Sequence, residues 1–273
     1  MSKGKRIELV IIDPQNDFMD DGALPVAGAK ADMDRLSAMV HKHSRKIYDV
    51  HVTLDSHHAI DISHAPFWID SNGKMPAPFS QITNQGIRDG VWSPRIPALR
   101  QHVLDYTAHL ESAGKYVHTI WPTHCLIGSE GHAIEPKLFE ALGNWSNDNV
   151  ALIDMVTKGS DYRTEHFGAL EAEMPMADNS DTQLNGRFLQ TLQSADQILI
   201  SGEALSHCVR ATVQQIADNI GAEHIAKLNL LVDTSTSIPA IPGVVDFPAL
   251  TAAWLKDMQK LGLTVTDTVS FWS

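Results

Sequence analysis

The stretch that decides the fold runs from residue 197 to residue 220 and reads QILISGEALSHCVRATVQQIADNI. Its first five residues form an apolar run with the length and composition of a buried strand. From Val209 onward, apolar side chains recur every three or four residues, which predicts a helix with one buried face. A strand that passes through a short turn into a helix is the repeating unit of a parallel sheet covered by helices on both faces.

The same alternation of apolar runs and amphipathic stretches recurs along most of the chain. We therefore predict an α/β fold with three layers, in which helices flank a central, mostly parallel sheet on both sides. The predicted strands span residues 7–12, 47–54, 116–120, 150–156, 197–201, 228–232 and 263–266. The predicted helices span residues 31–43, 96–113, 184–192, 209–220 and 249–261, and Gly262 is the predicted cap of the last helix.

Size and composition favour one domain. The chain has 273 residues, of which 43% are hydrophobic, and it contains no internal repeat, so we expect a single domain over residues 1–273. Residues 59–118 are expected to form an inserted excursion, because the first part of this region is rich in proline and glycine and has little regular pattern.

Charge and cysteine content limit the partners and the compartment. A formal net charge of −12 and a pI of about 5.5 offer no basic surface to a nucleic acid or an anionic membrane, so we expect small molecules and other subunits as partners. Cys125 and Cys208 are too few for a disulfide-stabilised secreted fold. The apolar run at 7–12 is too short for a signal peptide or a membrane span, so a cytoplasmic location is expected.

Chemically reactive residues follow the predicted strands at the same end. Asp13 follows the first strand, Asp55 the second, residues 121–125 the third, Lys158 the fourth and residues 202–208 the fifth. Ligands of open parallel sheets bind outside the carboxyl ends of the strands, where the loops converge. We therefore predict one functional site at this rim.

Cys208 and Asp13 are the candidate nucleophile and base at the rim. A cysteine at the start of a helix faces unpaired backbone amides, which favour the thiolate and can hold the oxyanion of a tetrahedral intermediate. Asp13 can act as a base for such a thiol and as an acid for a leaving amine. A buried inert cysteine, a turn-closing aspartate and, for Lys158, a solvated lysine are the ordinary alternatives for each residue taken alone. Their shared rim favours catalysis, with Lys158 paired to Asp13.

A candidate metal site lies at the same rim. Asp55 and His57 are two residues apart at the end of a strand, so their side chains point the same way. His124 joins them from the segment 121–125. One carboxylate and two imidazoles, completed by water, suit zinc, iron or manganese, and the residues alone do not choose among these metals.

Together these segments resemble the isochorismatase-like cysteine hydrolases. DPQNDF at 13–18, TKG at 157–159 and GEALSHCV at 202–209 are similar to the family's opening, lysine and nucleophile motifs. The resemblance implies Asp13 as the catalytic acid and base, Lys158 as the catalytic lysine and Cys208 as the nucleophile. It further implies a cis peptide bond between Glu203 and Ala204, and an oxyanion hole made by the backbone amides of Ala204 and Cys208.

Within this family, the metal motifs resemble those of the nicotinamidases. Asp55-x-His57 and WPTHC at 121–125 are similar to the segments that supply metal ligands there. The resemblance implies one divalent metal, zinc as the first expectation with iron or manganese as alternatives, which would bind the pyridine nitrogen of the substrate. The residues implied are Asp55, His57 and His124 as ligands, Asp61 or His64 as a fourth ligand, and Phe18 and Trp121 as aromatic contacts of the substrate.

The activity implied by the resemblance is hydrolysis of nicotinamide, or of a related small carboxamide, through a cysteine thioester. Such an enzyme would be a homo-oligomer that acts in NAD salvage. Two alternatives remain open: water activated by the metal could hydrolyse a small amide with Cys208 as a bystander, or the chain could be a binding protein that retains the fold without turnover. The second stays open because residues 165–168 read EHFG where the family often has a Tyr-Ser pair.

Overall fold

A parallel sheet forms the centre of the protein. The computed structural model describes residues 5–113, 115, 117–240 and 245–273. Six strands form the sheet in the order β5-β2-β1-β6-β7-β8, every neighbouring pair is parallel, and β3 and β4 form a separate antiparallel pair. In chain order the strands are β1 (Ile7–Ile12), β2 (Asp49–Asp55), β3 (Trp68–Ile69), β4 (Ser93–Pro94), β5 (Asp154–Lys158), β6 (Gln197–Gly202), β7 (Leu228–Leu231) and β8 (Thr264–Thr266).

Helices cover both faces of the sheet, as the alternating side chains of β1 show. Leu9 and Ile11 pack against one pair of helices, whereas Val10 and Ile12 pack against three others. Since successive side chains of a strand point to opposite faces, β1 contributes to two separate cores, and each fully buried aliphatic side chain stabilises the fold by roughly 1.5–3 kcal/mol. The predicted three-layer α/β fold is confirmed. The first pair is α1 (Ala29–His43) and α4 (Pro136–Asn149), and the other three are α5 (Gly186–Gln193), α6 (Arg210–Ile220) and α7 (Phe247–Leu261).

A third hydrophobic cluster lies wholly within residues 62–120. It joins Trp68 of β3 to two further helices, α2 (Asn84–Arg88) and α3 (Arg100–Ser112). Tyr106 of α3 is among its fully buried members. That residues 59–118 are an insertion into a single domain stays a prediction. Among the described residues, no helix combines the length and the apolar character that crossing a bilayer requires.

The predicted strand at 116–120 is wrong. Tyr116 lies outside the described residues, and residues 117–120 form no strand of the sheet. Their backbone groups bond to residues 79–82 instead, as in the hydrogen bonds from Ile120 N–H to the Ser80 carbonyl and from Ile82 N–H to the His118 carbonyl, at 2.9 and 2.8 Å. An apolar run of this length predicts a strand whether or not its partner belongs to the main sheet. Here the partner is the segment 79–82.

Helix α4 was missed, and this shifted the predicted fourth strand. The helix begins after Glu135, whose side chain accepts a hydrogen bond from Leu138 N–H at 2.8 Å, with Pro136 in the first turn. It ends at Asn149, and the capping residue Val150 is 95% exposed and adopts a positive φ of 51°. Because the helix and its exposed cap occupy the preceding residues, β5 begins at Asp154, later than the apolar run at 150–156 predicted.

Candidate active site

The carboxyl ends of neighbouring strands bring the predicted residues together. Asp55 ends β2 and is paired in register with Lys158, which ends β5. Asp13 directly follows β1, and Cys208 lies in a short turn of π-helix (Leu205–Val209) between β6 and α6. Because β5, β2, β1 and β6 are adjacent in the sheet, these four residues converge at one point of the rim.

Lys158 links the acidic residues to the cysteine. Its Nζ lies 2.8 Å from Asp13 Oδ2, 3.0 Å from Asp55 Oδ1 and 3.7 Å from Cys208 Sγ. It also donates a hydrogen bond to the backbone carbonyl of His166 at 3.0 Å. Burial opposes its charge, yet Asp13 and Asp55 together raise the pKa of Lys158 well above the usual value. The lysine is therefore a permanent cation between the carboxylates, unlike the solvated lysine of the ordinary alternative.

Asp13 is held in place from β2. Its backbone N–H donates to Thr53 Oγ1 at 3.0 Å, and the hydroxyl of Thr53 donates back to Asp13 Oδ1. Burial raises the pKa of Asp13, although the ammonium of Lys158 opposes the rise. Thr53 was not singled out from the sequence, although it lies two residues before Asp55 and so points from the strand to the same side.

The surroundings of Cys208 act on its thiol in two opposing ways. Burial raises the pKa of the Cys208 thiol well above its usual value, although Lys158 opposes the rise. This desolvation opposes the thiolate that the start of a helix was expected to favour, and that expectation stays a prediction. A thiol of this kind needs a base at the moment of attack. The peptide bond between Glu203 and Ala204 is cis, as the resemblance implied.

Three buried imidazoles form a group that could hold a metal ion. Ring nitrogens of His57, His64 and His124 all lie within 4.8 Å of one another. Asp55 Oδ2 approaches two of these rings, at 3.0 Å from His57 Nε2 and 3.3 Å from His124 Nε2. Asp61 Oδ2 lies 3.1 Å from the other nitrogen of His57, Nδ1, where it can orient that ring. The geometry thus favours His64 over Asp61 as the fourth ligand.

The donor set fits a divalent transition metal. His64 Nδ1 is buried and has no hydrogen-bond partner among the described residues. Leaving a buried polar atom unpaired is costly, which favours a bound ligand at this imidazole. Burial lowers the pKa of His64 to about 3, so its imidazole is neutral, the form that binds metals. Three imidazoles and a carboxylate suit zinc, iron or manganese.

An apolar cavity opens onto both groups. Its volume is about 580 Å³, and Cys208, Asp55 and His124 share it with the predicted aromatic contacts Phe18 and Trp121. A larger and more polar cavity of about 790 Å³ follows the edge strand β5, but Cys208 does not line it. The smaller cavity is therefore the candidate substrate site. Its lining also includes residues that the sequence did not single out as substrate contacts: Glu165, His166, Phe167, His207 and Phe247.

Several known proteins are similar to this chain in sequence or in fold. No family model matches the chain. The nicotinamidase of Saccharomyces cerevisiae is 24% identical over 239 residues, which cover 87% of this chain and 91% of the yeast protein. The structure of the yeast nicotinamidase bound to nicotinaldehyde aligns with a TM-score of 0.63 at 21% identity, over 96% of this chain and 99% of the yeast chain.

Two further solved structures share the fold. The nicotinamidase/pyrazinamidase of Acinetobacter baumanii aligns with a TM-score of 0.62 at 20% identity, over 99% of this chain and 100% of that one. The pyrazinamidase of Pyrococcus horikoshii in complex with zinc aligns with a TM-score of 0.55 at 18% identity, over 96% and 99% of the two chains. This chain therefore has the isochorismatase-like hydrolase fold that its sequence motifs predicted, and it shares that fold with the solved nicotinamidases and pyrazinamidases.

Proposed function

We propose that this chain is a cysteine amidohydrolase that converts nicotinamide, or a related small carboxamide, to the acid and ammonia. The observation that carries the proposal is the meeting of Asp13, Lys158 and Cys208 at an apolar cavity, with Lys158 Nζ 2.8 Å from Asp13 Oδ2 and 3.7 Å from Cys208 Sγ. The names of the relatives, nicotinamidases and pyrazinamidases, support the same class of substrate.

In the first half of the proposed reaction the cysteine is acylated. Asp13 takes the proton of the Cys208 thiol while Sγ bonds to the amide carbon. The backbone amides of Ala204 and Cys208 hold the oxyanion that forms. As the C–N bond breaks, Asp13 returns its proton to the leaving nitrogen, which departs as ammonia and leaves a thioester on Cys208.

In the second half, water hydrolyses the thioester. Asp13 removes a proton from the attacking water and then protonates the departing sulfur, which regenerates the thiol. Lys158 favours the ionised form of Asp13 at the start of each half, against the rise in pKa that burial causes, because its ammonium lies within 3 Å of the carboxylate and is shielded from solvent. Asp13 therefore serves as both the general base and the general acid, and its carboxyl group gains and loses a proton in each half of the reaction.

The substrate ring would lie between the metal ligands and the aromatic wall. We propose zinc, with iron or manganese as alternatives, held by Asp55, His57, His64 and His124; when bound, it would supply a Lewis-acid contact for the ring nitrogen. A relative solved in complex with zinc supports this choice. Phe18 and Trp121 line the same cavity and would hold the faces of the ring.

Ammonia release tests the proposal. Purified enzyme loaded with zinc is expected to release ammonia from nicotinamide and pyrazinamide, with little or none from aliphatic amides that lack a ring for Phe18 and Trp121 to contact. No release from any aromatic or aliphatic amide would favour a binding protein instead. The homo-oligomeric state, the cytoplasmic location, a role in NAD salvage and the single domain with its insertion at 59–118 stay predictions from the sequence.

A further inference from the structure

Glu165 lies in the wall of the substrate cavity, and no step of the proposed reaction uses it. Its side chain is 5% exposed and lines the cavity with Trp121 and Cys208. Carboxyl groups are rare in apolar walls, because removing their charge from water is costly. The presence of a carboxyl group in this apolar wall therefore needs an explanation in terms of what it binds.

The backbone of Glu165 is fixed by the excursion and by the following loop. Its N–H donates to the hydroxyl of Tyr106 in α3 at 3.4 Å. Its carbonyl accepts a hydrogen bond from Glu173 N–H at 2.7 Å. The carboxyl is held separately, since Trp121 Nε1 donates to Oε1 at 3.1 Å. The position of the group is thus set by contacts from three directions.

The second carboxyl oxygen, Oε2, accepts no hydrogen bond among the described residues, and it is not one of the solvent-inaccessible polar atoms without a partner. Since the side chain lines the cavity, Oε2 is the oxygen left to contact a ligand there. No lysine or arginine of the described chain forms an ion pair with Glu165. Burial, the largest cause, raises the pKa of Glu165 to about 8, which favours the protonated carboxyl. Among the charged groups around Glu165, His57 lowers the pKa of its carboxyl, whereas Asp61, Asp55 and Glu173 raise it. With Oε1 accepting from the indole, the proton of the neutral carboxyl lies on Oε2, which is then a donor.

We propose that Glu165 is a specificity-determining residue, which donates a hydrogen bond from its carboxyl to an acceptor atom on the substrate ring. The preferred substrates are then heteroaromatic carboxamides that carry a second acceptor, such as diazine carboxamides, in addition to the ring nitrogen of pyridine-3-carboxamide. A site that offers a buried donor disfavours rings that leave it unpaired. This inference rests on the proposed function for its substrate class.

Three diazine carboxamides locate the acceptor. Pyrazine-2-, pyrimidine-5- and pyridazine-4-carboxamide keep a ring nitrogen at the position it has in pyridine-3-carboxamide and place the second nitrogen at three different ring positions. The measured quantity is kcat/KM for each diazine divided by kcat/KM for pyridine-3-carboxamide. The intrinsic reactivity of each amide cancels when this ratio is compared between enzyme variants.

Matched substitutions separate the hydrogen bond from the shape of the cavity. Glu165→Gln keeps an N–H donor and an oxygen for Trp121, whereas Glu165→Leu has a similar volume and neither group. We expect Glu165→Leu to lower the ratio about tenfold for the best diazine and Glu165→Gln to lower it less than threefold. An unchanged ratio in Glu165→Leu for all three diazines, or equal losses in both variants, would overturn the assignment. If Glu165→Leu does not fold, Glu165→Met replaces it under the same criteria.

Binding measurements keep this test separate from the test of the proposed function. Calorimetric titration of the same amides into zinc-loaded Cys208→Ala, with and without Glu165→Leu, measures the diazine preference as a ratio of Kd values without any turnover. If the wild-type enzyme releases no ammonia, the proposed function fails, whereas a diazine preference that disappears with Glu165→Leu still supports the role of Glu165. A Kd ratio that Glu165→Leu leaves unchanged contradicts that role whatever the activity.

Discussion

Replacing Lys158 with methionine removes the ammonium that lies between Asp13 and Asp55 while keeping the unbranched stem of the side chain. In the native protein this ammonium lies 2.8 Å from Asp13 and 3.0 Å from Asp55, and its own side chain is 1% exposed. Without the ammonium, the negative charges of these two buried carboxylates are less well compensated. Asp13 then holds its proton more strongly, because burial already raises its pKa and the opposing charge is gone.

Both stability and activity should fall in Lys158→Met. Breaking a buried ion pair by removing one partner costs about 3–5 kcal/mol, which for a chain of this size lowers Tm by about 6–20 °C. A base that is protonated before the substrate arrives no longer accepts the thiol proton, so kcat/KM for nicotinamide should fall about 10²- to 10⁴-fold. The loss of activity should persist at temperatures well below the lowered Tm.

The assay combines thermal unfolding with steady-state kinetics, and Lys137→Met serves as the control. Lys137 pairs with Asp34 at 2.7 Å, but both side chains are more than half exposed, so its replacement should change neither Tm nor kcat/KM measurably. The reasoning is refuted if Lys158→Met keeps kcat/KM within tenfold of the wild-type value, or if its Tm lies within 2 °C of it.

Two further predictions concern the metal ligands and the pH dependence of stability. His64→Ala should weaken zinc binding at least tenfold in a competition assay with a chromogenic chelator, whereas the exposed neighbour control His58→Ala should bind zinc like the wild type; equal affinities would exclude His64 as a ligand. Burial disfavours a charge on His51, but Glu8 and Asp154, each 2.9 Å away, raise its pKa in the folded state. Its protonated ring therefore stabilises the fold fully below the unfolded pKa of about 6.5, and this stabilisation is lost as the pH rises through the folded-state pKa. The Tm deficit of His51→Gln should accordingly be larger at pH 6 than at pH 9, and an equal deficit at both would contradict this account.

Local patterns predicted the six strands of the central sheet, together with one strand that does not form, and the residues at the rim. The apolar run at 7–12, interrupted only by Glu8, coincides with β1, because a strand buried on both faces is apolar along most of its length and polar residues flank this one at Arg6 and Asp13. Asp13 directly follows β1, and Asp55 and Lys158 end β2 and β5, so the topology of a parallel sheet was enough to predict that they meet. The missed helix α4 did carry a signal, since Pro136 and the apolar spacing of Leu138, Leu142 and Trp145 are typical of a helix.

Residues on loops could not be placed in the same way. His64 and Asp61 were equivalent candidates for the fourth ligand, and only the fold of the excursion brings His64 to the other two imidazoles. Glu165 was noticed as a departure from a family pattern, but its position in the cavity depends on contacts with Trp121 and Tyr106, which are distant in sequence. Burial also raises the pKa of the Cys208 thiol, an effect that the helix-start argument did not contain.

Turnover by Cys208→Ala tests the central claim most directly, because that claim assigns bond formation to one sulfur atom. Cys125→Ala is the matched control, since Cys125 is fully buried and does not line the substrate cavity. With zinc content equal in all three proteins, we predict that Cys208→Ala releases no detectable ammonia from nicotinamide, whereas Cys125→Ala retains activity. Full activity in Cys208→Ala that disappears on chelation would contradict the thioester mechanism and support hydrolysis by metal-activated water.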